Sequence, residues 1–299
     1  MKPHKSGFVN IIGRPNVGKS TLLNALLGER LSVETPKAQT TRHRIKGILN
    51  EEDYQIIFSD TPGIVLNPAY EMHHIMNQFV KSTFDDADIL VLIIDPTRPK
   101  DVLSEEWMEA LKNTSTKKFL LLNKSDLVPT GALLELASSW QDKINFDEIL
   151  PISALKKSNI QDKLLPLLLK YLPEGPPYYP KDQLTDRSIR FFISEIIRAH
   201  ILKQFKEEVP YSCEVVVNEF KEPKTPTDIT HIQCTIYVNR KSQKSILIGK
   251  QGSAIKKLGT AARYDIEKFL QTKVYLDLHV KVLEKWRDDK QTLRRFGYD

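Results

Sequence analysis

The chain has 299 residues, of which 40% are hydrophobic, and a formal net charge of +6 at pH 7. This length fits two domains, and the apolar content is sufficient for two cores. No run of eighteen apolar residues occurs, which excludes a membrane-spanning helix, and no apolar signal core follows Met1, so we expect a cytoplasmic protein.

The positive charge lies in the second part of the chain. Residues 1–180 carry 21 Lys and Arg against 22 Asp and Glu, a net charge of −1, whereas residues 181–299 carry 23 against 16, a net charge of +7. Such an excess predicts a polyanionic partner for the second part. Cys213 and Cys234 lack the C-x-x-C spacing of a metal site, so we expect buried free thiols.

The first predicted strand, 7–12, leads directly into a glycine-rich loop. Residues 13–20 read G-R-P-N-V-G-K-S, and a helical leucine pattern follows at 21–27. In this context the backbone N–H groups of the loop converge on phosphate oxygens at the N-terminus of a helix. Lys19 is expected to reach the β- and γ-phosphates, and the Ser20 hydroxyl to bind Mg²⁺. The predicted nucleotide contacts of this loop are Gly13, Arg14, Pro15, Asn16, Val17, Gly18, Lys19, Ser20 and Thr21.

The next two strand patterns, 44–49 and 54–59, flank a short polar turn. They predict an antiparallel hairpin at one edge of a mostly parallel sheet. The hairpin leads into Asp60-Thr61-Pro62-Gly63. A carboxylate at the end of a strand can hold Mg²⁺ through water, and the Gly63 N–H can meet the γ-phosphate, so Asp60 and Gly63 are predicted nucleotide contacts.

A base-reading pattern follows the strand pattern at 119–122. Residues 119–122 lead into Asn123-Lys124-Ser125-Asp126. The Asp126 carboxylate can accept hydrogen bonds from guanine N1–H and the 2-amino group, two donors that adenine does not offer there. Asn123 would brace the loop, and the aliphatic stem of Lys124 would lie over the base. The pattern therefore predicts a guanine nucleotide.

The last strand pattern of this part, 149–152, leads into Ser153-Ala154-Leu155. One backbone N–H of this segment, which we assign to Ala154, could meet guanine O6. These three residues complete the predicted nucleotide contacts.

Together these motifs resemble those of the translation-factor-like class of P-loop GTPases. The resemblance implies that a threonine in the loop after the first helix closes on Mg²⁺, with Thr41 as the first choice and Thr40 as the second. The implied metal ligands are Ser20, Thr41 and Asp60. The implied catalytic contacts are Lys19, Thr41 and Gly63.

Gly63 is followed by Ile64, where many small GTPases have a glutamine that orients the attacking water. An isoleucine cannot hydrogen-bond water, so either hydrolysis is slow or another group positions the water. This resembles a subclass of GTPases with a hydrophobic residue there, in some of which an asparagine that matches Asn16 helps to bind K⁺. In the alternative interpretation, Asn16 only shapes the loop.

Beyond residue 172 the pattern changes. Proline and glycine are dense in 173–186, which predicts an interdomain linker. We therefore expect an α/β Ras-like P-loop GTPase domain over 1–172, with helices on both faces of its sheet, and a second domain over 187–299. In the second domain the patterns predict helices at 188–206, 243–248 and 253–270, and strands at 213–220, 230–238 and 273–283.

This order, with G-K-Q-G at 249–252 between two helices, resembles an α+β KH domain of the type II order. A tight glycine turn allows a nucleic-acid strand to approach the backbone. From His231 to Tyr264 the sequence has seven Lys or Arg residues and no acid, which favours RNA as the polyanion. The predicted RNA-binding residues are Ile248, Gly249, Lys250, Gln251, Gly252, Ser253, Lys256, Lys257 and Arg263.

The motifs Q-T-T-R, D-T-P-G-I, N-K-S-D and I-G-K-Q-G-S together closely resemble those of the Era family of bacterial GTPases, over nearly the whole chain. The resemblance implies a monomer that binds GTP and GDP with Mg²⁺ and hydrolyses GTP. It also implies binding to 16S ribosomal RNA near its 3′ end, in assembly of the 30S subunit, and peripheral association with the inner membrane. The alternatives are a related GTPase that acts on the large subunit or on tRNA, and an RNA scaffold that holds GTP with negligible turnover.

Overall fold

The computed structural model describes residues 3–99, 103–223, 225 and 228–298. The chain divides into two units, Met1–Ala69 with His73–Asp186, and Tyr70–Met72 with Arg187–Asp299. Up to Asp186 the described helices and strands are β1 (Lys5–Ile12), α1 (Lys19–Leu27), β2 (Ile45–Asn50), β3 (Tyr54–Asp60), α2 (Glu71–Lys81), β4 (Ile89–Ile94), α3 (Glu105–Asn113), β5 (Lys117–Leu122), α4 (Thr130–Gln141), β6 (Glu148–Pro151) and α5 (Leu165–Tyr171).

The first unit contains a six-stranded sheet in the order β2-β3-β1-β4-β5-β6. Each neighbouring pair is parallel except β2 and β3, which form the antiparallel hairpin predicted at the sheet edge. Because parallel strands end on one side of a sheet, the loops after β1, β3, β4, β5 and β6 meet there. This is the side on which the sequence motifs fall.

Both faces of this sheet are buried, as the continuous apolar runs of its strands require. In β4, Val91 and Ile93 belong to the core that includes α1 and α5, whereas Leu90 and Leu92 belong to the core that includes Trp107 of α3. Helices therefore cover both faces, which confirms the predicted Ras-like architecture.

The segment 173–186, predicted as a linker, is fixed along the edge of the first unit. The Ile48 N–H donates to the Leu184 carbonyl at 2.9 Å, and the Thr185 hydroxyl donates to the Lys46 carbonyl at 2.7 Å. Gln55 accepts hydrogen bonds from the backbone N–H groups of Tyr178 and Tyr179. We call residues 173–186 the strap. Its hydrogen bonds reach Ser6 of β1, Gln55 of β3 and, from Leu184 and Thr185, the edge strand β2.

The second unit is an α+β domain. Its described elements are α6 (Ile189–Gln204), β7 (Cys213–Lys221), β8 (Thr230–Val238), α7 (Lys241–Ile248), α8 (Ser253–Leu270), β9 (Val274–Val282) and α9 (Lys290–Arg295). Its sheet has the order β7-β8-β9, with β7 antiparallel and β9 parallel to the central strand. This is the predicted type II KH order.

The central strand β8 alternates between the core and the opposite face of the sheet. Ile232, Cys234, Ile236 and Val238 are buried in one core with residues of α6 and α8, whereas His231 on the opposite face is exposed. Cys213 and Cys234 are buried free thiols, as expected.

The end of the second unit contains an element that the sequence patterns did not predict. After β9 the chain turns back, and the fully buried Trp286 donates from Nε1 to the Ser212 carbonyl at 3.1 Å. Helix α9 follows, and the buried Tyr298 hydroxyl donates to Glu214 at 2.7 Å. None of the described helices is long and apolar enough to cross a membrane.

Candidate nucleotide-binding site

The glycine-rich loop lies between β1 and α1, and the segment after β3 packs directly against it. A Cβ atom on Gly63 would lie 2.8 Å from the backbone N and Cα of Pro15, so only glycine allows this approach. The neighbouring Ile64 N–H donates to the Gly13 carbonyl at 3.2 Å. The two motifs that are expected to contact the phosphates are therefore held together by the backbone.

Lys19 lies at the start of α1 with its ammonium enclosed by the loop. Nζ donates to the carbonyls of Gly13 and Arg14 at 3.0 and 2.9 Å. Burial lowers the pKa of Lys19 to about 8, and the negative charge of Asp60 partly opposes this effect. A buried cation beside the loop is suited to bind an anion.

The three predicted metal ligands converge. The Ser20 hydroxyl donates to Asp60 Oδ2 at 2.7 Å and lies 3.0 Å from the Thr41 hydroxyl, which is 3.4 Å from the same carboxylate oxygen. The structure also separates Thr41 from Thr40. The Thr40 hydroxyl instead lies 2.6 Å from that of Thr35, within its own loop. Of the two threonines, Thr41 is therefore the one that lies beside Ser20 and Asp60.

These residues fit Mg²⁺. Burial raises the pKa of the Asp60 carboxyl, whereas the hydrogen bond from Ser20 and the charge of Lys19 lower it. Its buried Oδ1 has no hydrogen-bond partner within the described part of the chain. A set of hydroxyl and carboxylate oxygens in which one buried carboxylate oxygen lacks a partner is the chemistry that a hard divalent cation prefers.

The Asn123 side chain links three of the motif segments. Its Nδ2 donates to the Val17 carbonyl at 2.7 Å, which links the loop after β5 to the glycine-rich loop. Its Oδ1 accepts a hydrogen bond from the Ala154 N–H at 2.9 Å. In this structure the Ala154 N–H therefore donates within the protein, and its assignment to guanine O6 stays a prediction.

Lys124 adopts a left-handed backbone conformation, with φ of 60°, and its ammonium donates to the Asn16 carbonyl at 3.1 Å. Its stem thus extends from the loop after β5 to the glycine-rich loop. The Asp126 side chain is exposed beside it. This places both predicted base contacts on one side of the same cavity.

The cavity has a volume of about 510 Å³ and joins the four motif segments. The described residues that line it are Pro15, Asn16, Gly18, Lys19, Ser20, Thr21, Val33, Glu34, Thr35, Pro36, Gln39, Thr40, Thr41, Gly63, Arg98, Asn123, Lys124, Asp126, Leu127, Ser153, Ala154, Leu155 and Lys156. Most of the predicted nucleotide contacts are included.

Four predicted contacts do not line this cavity within the described part of the chain: Gly13, Arg14, Val17 and Asp60. The Val17 side chain is buried in the core that includes residues of α1. Asp60 lies behind Ser20 and is fully buried.

Sequence reasoning missed one wall of the cavity, which is formed by residues 33–36 and Arg98. The Asn16 side chain contacts this wall, since its Nδ2 donates to the Pro36 carbonyl at 2.9 Å. That contact supports the interpretation in which Asn16 shapes the loop. Neither segment has a sequence pattern that would have identified it.

The glycine turn of the second unit lies between α7 and α8. A Cβ atom on Gly252 would have no neighbour within 4 Å, so the turn is open to an approaching strand. Around it, Lys250, Gln251 and Ser253 are exposed. The other predicted RNA-binding side chains with a positive charge, Lys256, Lys257 and Arg263, are also exposed on α8, whereas Ile248 and Gly249 are half-buried.

Comparison with known proteins agrees with both units. Residues 8–124 match the family described as a 50S ribosome-binding GTPase, and residues 208–287 match the KH domain family. GTPase Era of Syntrophus aciditrophicus (strain SB) is 47% identical over 298 residues, which cover 99% of this chain and 95% of that protein.

Two solved structures are similar over the same length. A single-residue variant of Aquifex aeolicus Era bound to GDP.AlF4- has a TM-score of 0.91 at 40% identity and covers 98% of this chain and 99% of its own. An Era complex with MgGDPNP and nucleotides 1506–1542 of 16S ribosomal RNA has a TM-score of 0.91 at 39% identity, with 99% of both chains covered.

The fold and the motif loops define a P-loop GTPase that carries a KH domain. The identity and coverage of the relatives then identify the family within this class. The chain belongs to the Era family of GTPases.

Proposed function

We propose that this GTPase uses the nucleotide at Lys19, Ser20 and Thr41 to control binding of its KH domain to 16S ribosomal RNA near the 3′ end, during assembly of the 30S subunit. The observation that carries the proposal is the pairing, in one chain, of the Ser20–Thr41–Asp60 cluster with an exposed basic glycine turn. The related Era complex that holds both MgGDPNP and a 16S fragment supports it.

In the first unit, the guanine base contacts Asp126, and the stem of Lys124 covers its face. The phosphates lie on the glycine-rich loop, where Lys19 neutralises the β- and γ-oxygens and the Gly63 N–H meets the γ-phosphate. Ser20, Thr41 and Asp60 would hold Mg²⁺, which when bound neutralises phosphate charge and stabilises the leaving group.

Hydrolysis in this site does not depend on a side chain at position 64. Ile64 is 1% exposed and packs in the core that includes Leu92 and Val80, so it cannot face the attacking water. Lys19 and the backbone at Gly63 therefore supply the stabilisation of the transition state from this chain. A K⁺ ion bound at Asn16 is a further proposal for stabilising the negative charge of the same transition state.

The loop that carries Thr41 also contacts α2. The side-chain amide of Gln39 lies 2.9 Å from His73 Nε2. A γ-phosphate that holds Thr41 beside Ser20 would therefore also bias the segment 64–84. The arrangement of these segments with the γ-phosphate bound is coupled to RNA affinity, which makes the protein a GTP-dependent switch. Hydrolysis returns the segments to the arrangement without the γ-phosphate.

The test is RNA affinity in two nucleotide states. A 16S fragment that spans nucleotides 1506–1542 is titrated with the protein saturated with GDPNP and then with GDP, against a fragment of shuffled sequence. We expect the two states to differ by about tenfold, which corresponds to about 1.4 kcal/mol of coupling. Equal affinity in the two states would exclude the switch, and equal affinity for the shuffled RNA would exclude the specific site.

A second candidate is a GTPase that acts on the large subunit, because the family that matches residues 8–124 is described as 50S ribosome-binding. Crosslinking of the protein to ribosomal particles in its GDPNP state distinguishes the two. Crosslinks from the 249–252 turn to 16S RNA support our proposal, whereas crosslinks to large-subunit RNA support the second candidate.

A further inference from the structure

Asp95 is a buried acid with no role in the sequence motifs. It directly follows β4, and its side chain is 2% exposed. A buried carboxylate costs free energy unless it is paired and hydrogen-bonded. Its partners therefore indicate what it does.

Both oxygens of Asp95 are occupied. Oδ1 accepts hydrogen bonds from the Thr97 N–H at 3.0 Å and from the Thr97 hydroxyl at 2.6 Å. Oδ2 accepts a hydrogen bond from Lys124 Nζ at 2.5 Å. Thr97 fixes the orientation of the carboxylate, so the second oxygen presents a fixed negative charge to Lys124.

The Asp95 carboxylate is ionised at neutral pH. Burial alone would raise its pKa, but the hydrogen bonds from Lys124 and Thr97 outweigh that effect and hold the pKa below its usual value. The pair is thus a charge-assisted contact with one well-buried partner, and such contacts are stronger than exposed ion pairs.

Lys124 reaches from this carboxylate to the glycine-rich loop, because the same ammonium also donates to the Asn16 carbonyl at 3.1 Å. Its side chain remains 32% exposed, so without an anchor it has freedom to leave the cavity. With the backbone of Lys124 at one end and its anchored ammonium at the other, the four-carbon stem must lie along the cavity wall. That is the position from which it can cover a base.

We propose that Asp95 is a positioning residue for guanine-nucleotide binding. It acts through Lys124, whose ammonium it fixes so that the stem forms one wall of the base pocket and ties that wall to the phosphate loop. This inference rests on the proposed assignment of Lys124 to the nucleotide site.

The main test variant is Asp95→Asn. The amide has the same shape, and its oxygen can still accept from Thr97, but its NH₂ group then faces the Lys124 ammonium. We expect GDP to dissociate about tenfold faster and the KM for GTP to rise about tenfold, with less than a twofold change in kcat. Asp147→Asn is the matched control. It breaks the Lys117–Asp147 pair of 2.8 Å at the start of β5, at the opposite end of that strand, and should leave GDP dissociation unchanged.

A double-variant cycle separates positioning from a purely structural role. Lys124→Ala alone should weaken GDP binding, and adding Asp95→Asn should then have no further effect on GDP dissociation. A full additive loss in the Lys124→Ala background would overturn the proposal, and so would parental GDP binding by Asp95→Asn. Should Asp95→Asn fail to fold, Asp95→Glu keeps the buried charge but displaces it, and a severalfold faster GDP release is expected. Parental release by that variant would also overturn the proposal.

The cycle also distinguishes this inference from the site assignment on which it rests. If Lys124→Ala binds GDP as the parent does, the assignment of Lys124 to the base pocket is wrong and the inference falls with it. If Lys124→Ala loses affinity and Asp95→Asn does not, the assignment holds and only the role of Asp95 is wrong.

Discussion

The hydroxyl groups of Ser20 and Thr41 lie 3.0 Å apart, although Ser20 lies in the first turn of α1 and Thr41 lies in a loop without helix or strand. Asp60 joins them, since its Oδ2 is within hydrogen-bonding distance of both. The cluster brings together side chains from α1, the following loop and the end of β3. It therefore gives Thr41 a role that can be tested against its neighbour.

Thr41→Ala should lower GTP turnover by at least about tenfold, because it removes one oxygen from the proposed Mg²⁺ set. Thr40→Ala is the matched control, since its hydroxyl bonds to the Lys37 carbonyl at 2.7 Å within the loop and should leave turnover within about twofold. Steady-state phosphate release at saturating GTP measures both. A larger loss in Thr40→Ala than in Thr41→Ala would reverse our choice between the two threonines.

Asp126→Asn should lose most of its GTP affinity and gain affinity for xanthosine triphosphate. The amide presents a donor where guanine also has one, whereas the 2-oxo group of xanthine restores the match. Loss of hydrogen bonds to a charged group predicts at least about a hundredfold weaker binding of GTP. Competition of both nucleotides against labelled GDP measures the change, and parental GTP affinity would disprove the guanine pocket.

The pH dependence of nucleotide binding should report the burial of Lys19. In the free protein its pKa is about 8, below its usual value, and the phosphates of a bound nucleotide stabilise the ammonium. Binding therefore takes up a proton above that pH, and GDP affinity should fall as pH rises from 7 to 9. Titration calorimetry in two buffers of different ionisation enthalpy measures the uptake. In Lys19→Arg, whose guanidinium stays charged, the same pH range should show no uptake from this residue.

Ile64 should matter for stability and not for positioning water. Because it is buried in the core, Ile64→Ala should lower the free energy of unfolding by about 2–5 kcal/mol and Ile64→Val by about 0.5–1.5 kcal/mol. Urea unfolding of the nucleotide-free protein measures both. In Ile64→Val we expect turnover within about twofold of the parent, and a hundredfold loss with intact GTP affinity would mean that the side chain shapes the water site directly.

Gly252→Asp should weaken RNA binding without disturbing the GTPase site. The position has φ of 76°, which aspartate tolerates better than most residues, and open space around it, so the fold should survive. The new carboxylate would meet the RNA backbone. Affinity for the 16S fragment, with GDP affinity as the control, tests this. In a salt series, Lys256→Ala should lower the slope of log affinity against log salt concentration by somewhat less than about one unit. Parental RNA affinity in Gly252→Asp would exclude the KH surface.

Much of this site could be predicted because its motifs are local. A strand, a glycine loop and a helix that begins at Lys19 are adjacent in sequence, so the phosphate-binding loop needs no tertiary information. Where bounds were predicted, such as 7–12 for β1 and 253–270 for α8, they agree with the structure within a few residues. The start of α7 differs from its predicted position, since the helix begins at Lys241 and not at Gln243. The cause is a helix cap, in which the Gln243 side chain accepts a hydrogen bond from the Arg240 N–H at 2.9 Å.

What could not be predicted depends on pairs that are distant in sequence. Asp95 and Lys124 are separated by 29 residues and share no motif. The Ala154 N–H is engaged by Asn123 only because β5 and β6 are neighbours. Trp286 reads as one aromatic residue in a polar tail, and its burial follows from how the chain turns after β9. Such contacts are decided by tertiary packing, which overrides local pattern.

The strap determines where a fragment that contains the first unit must end. Strand β2 is the outer strand of its sheet, and an uncovered outer strand offers unpaired N–H and C=O groups to other molecules. The backbone of Leu184 and the side chain of Thr185 occupy such groups on β2. A fragment that ends at Leu172 would therefore expose this edge and tend to aggregate, whereas a fragment that ends at Asp186 would keep these groups of β2 covered.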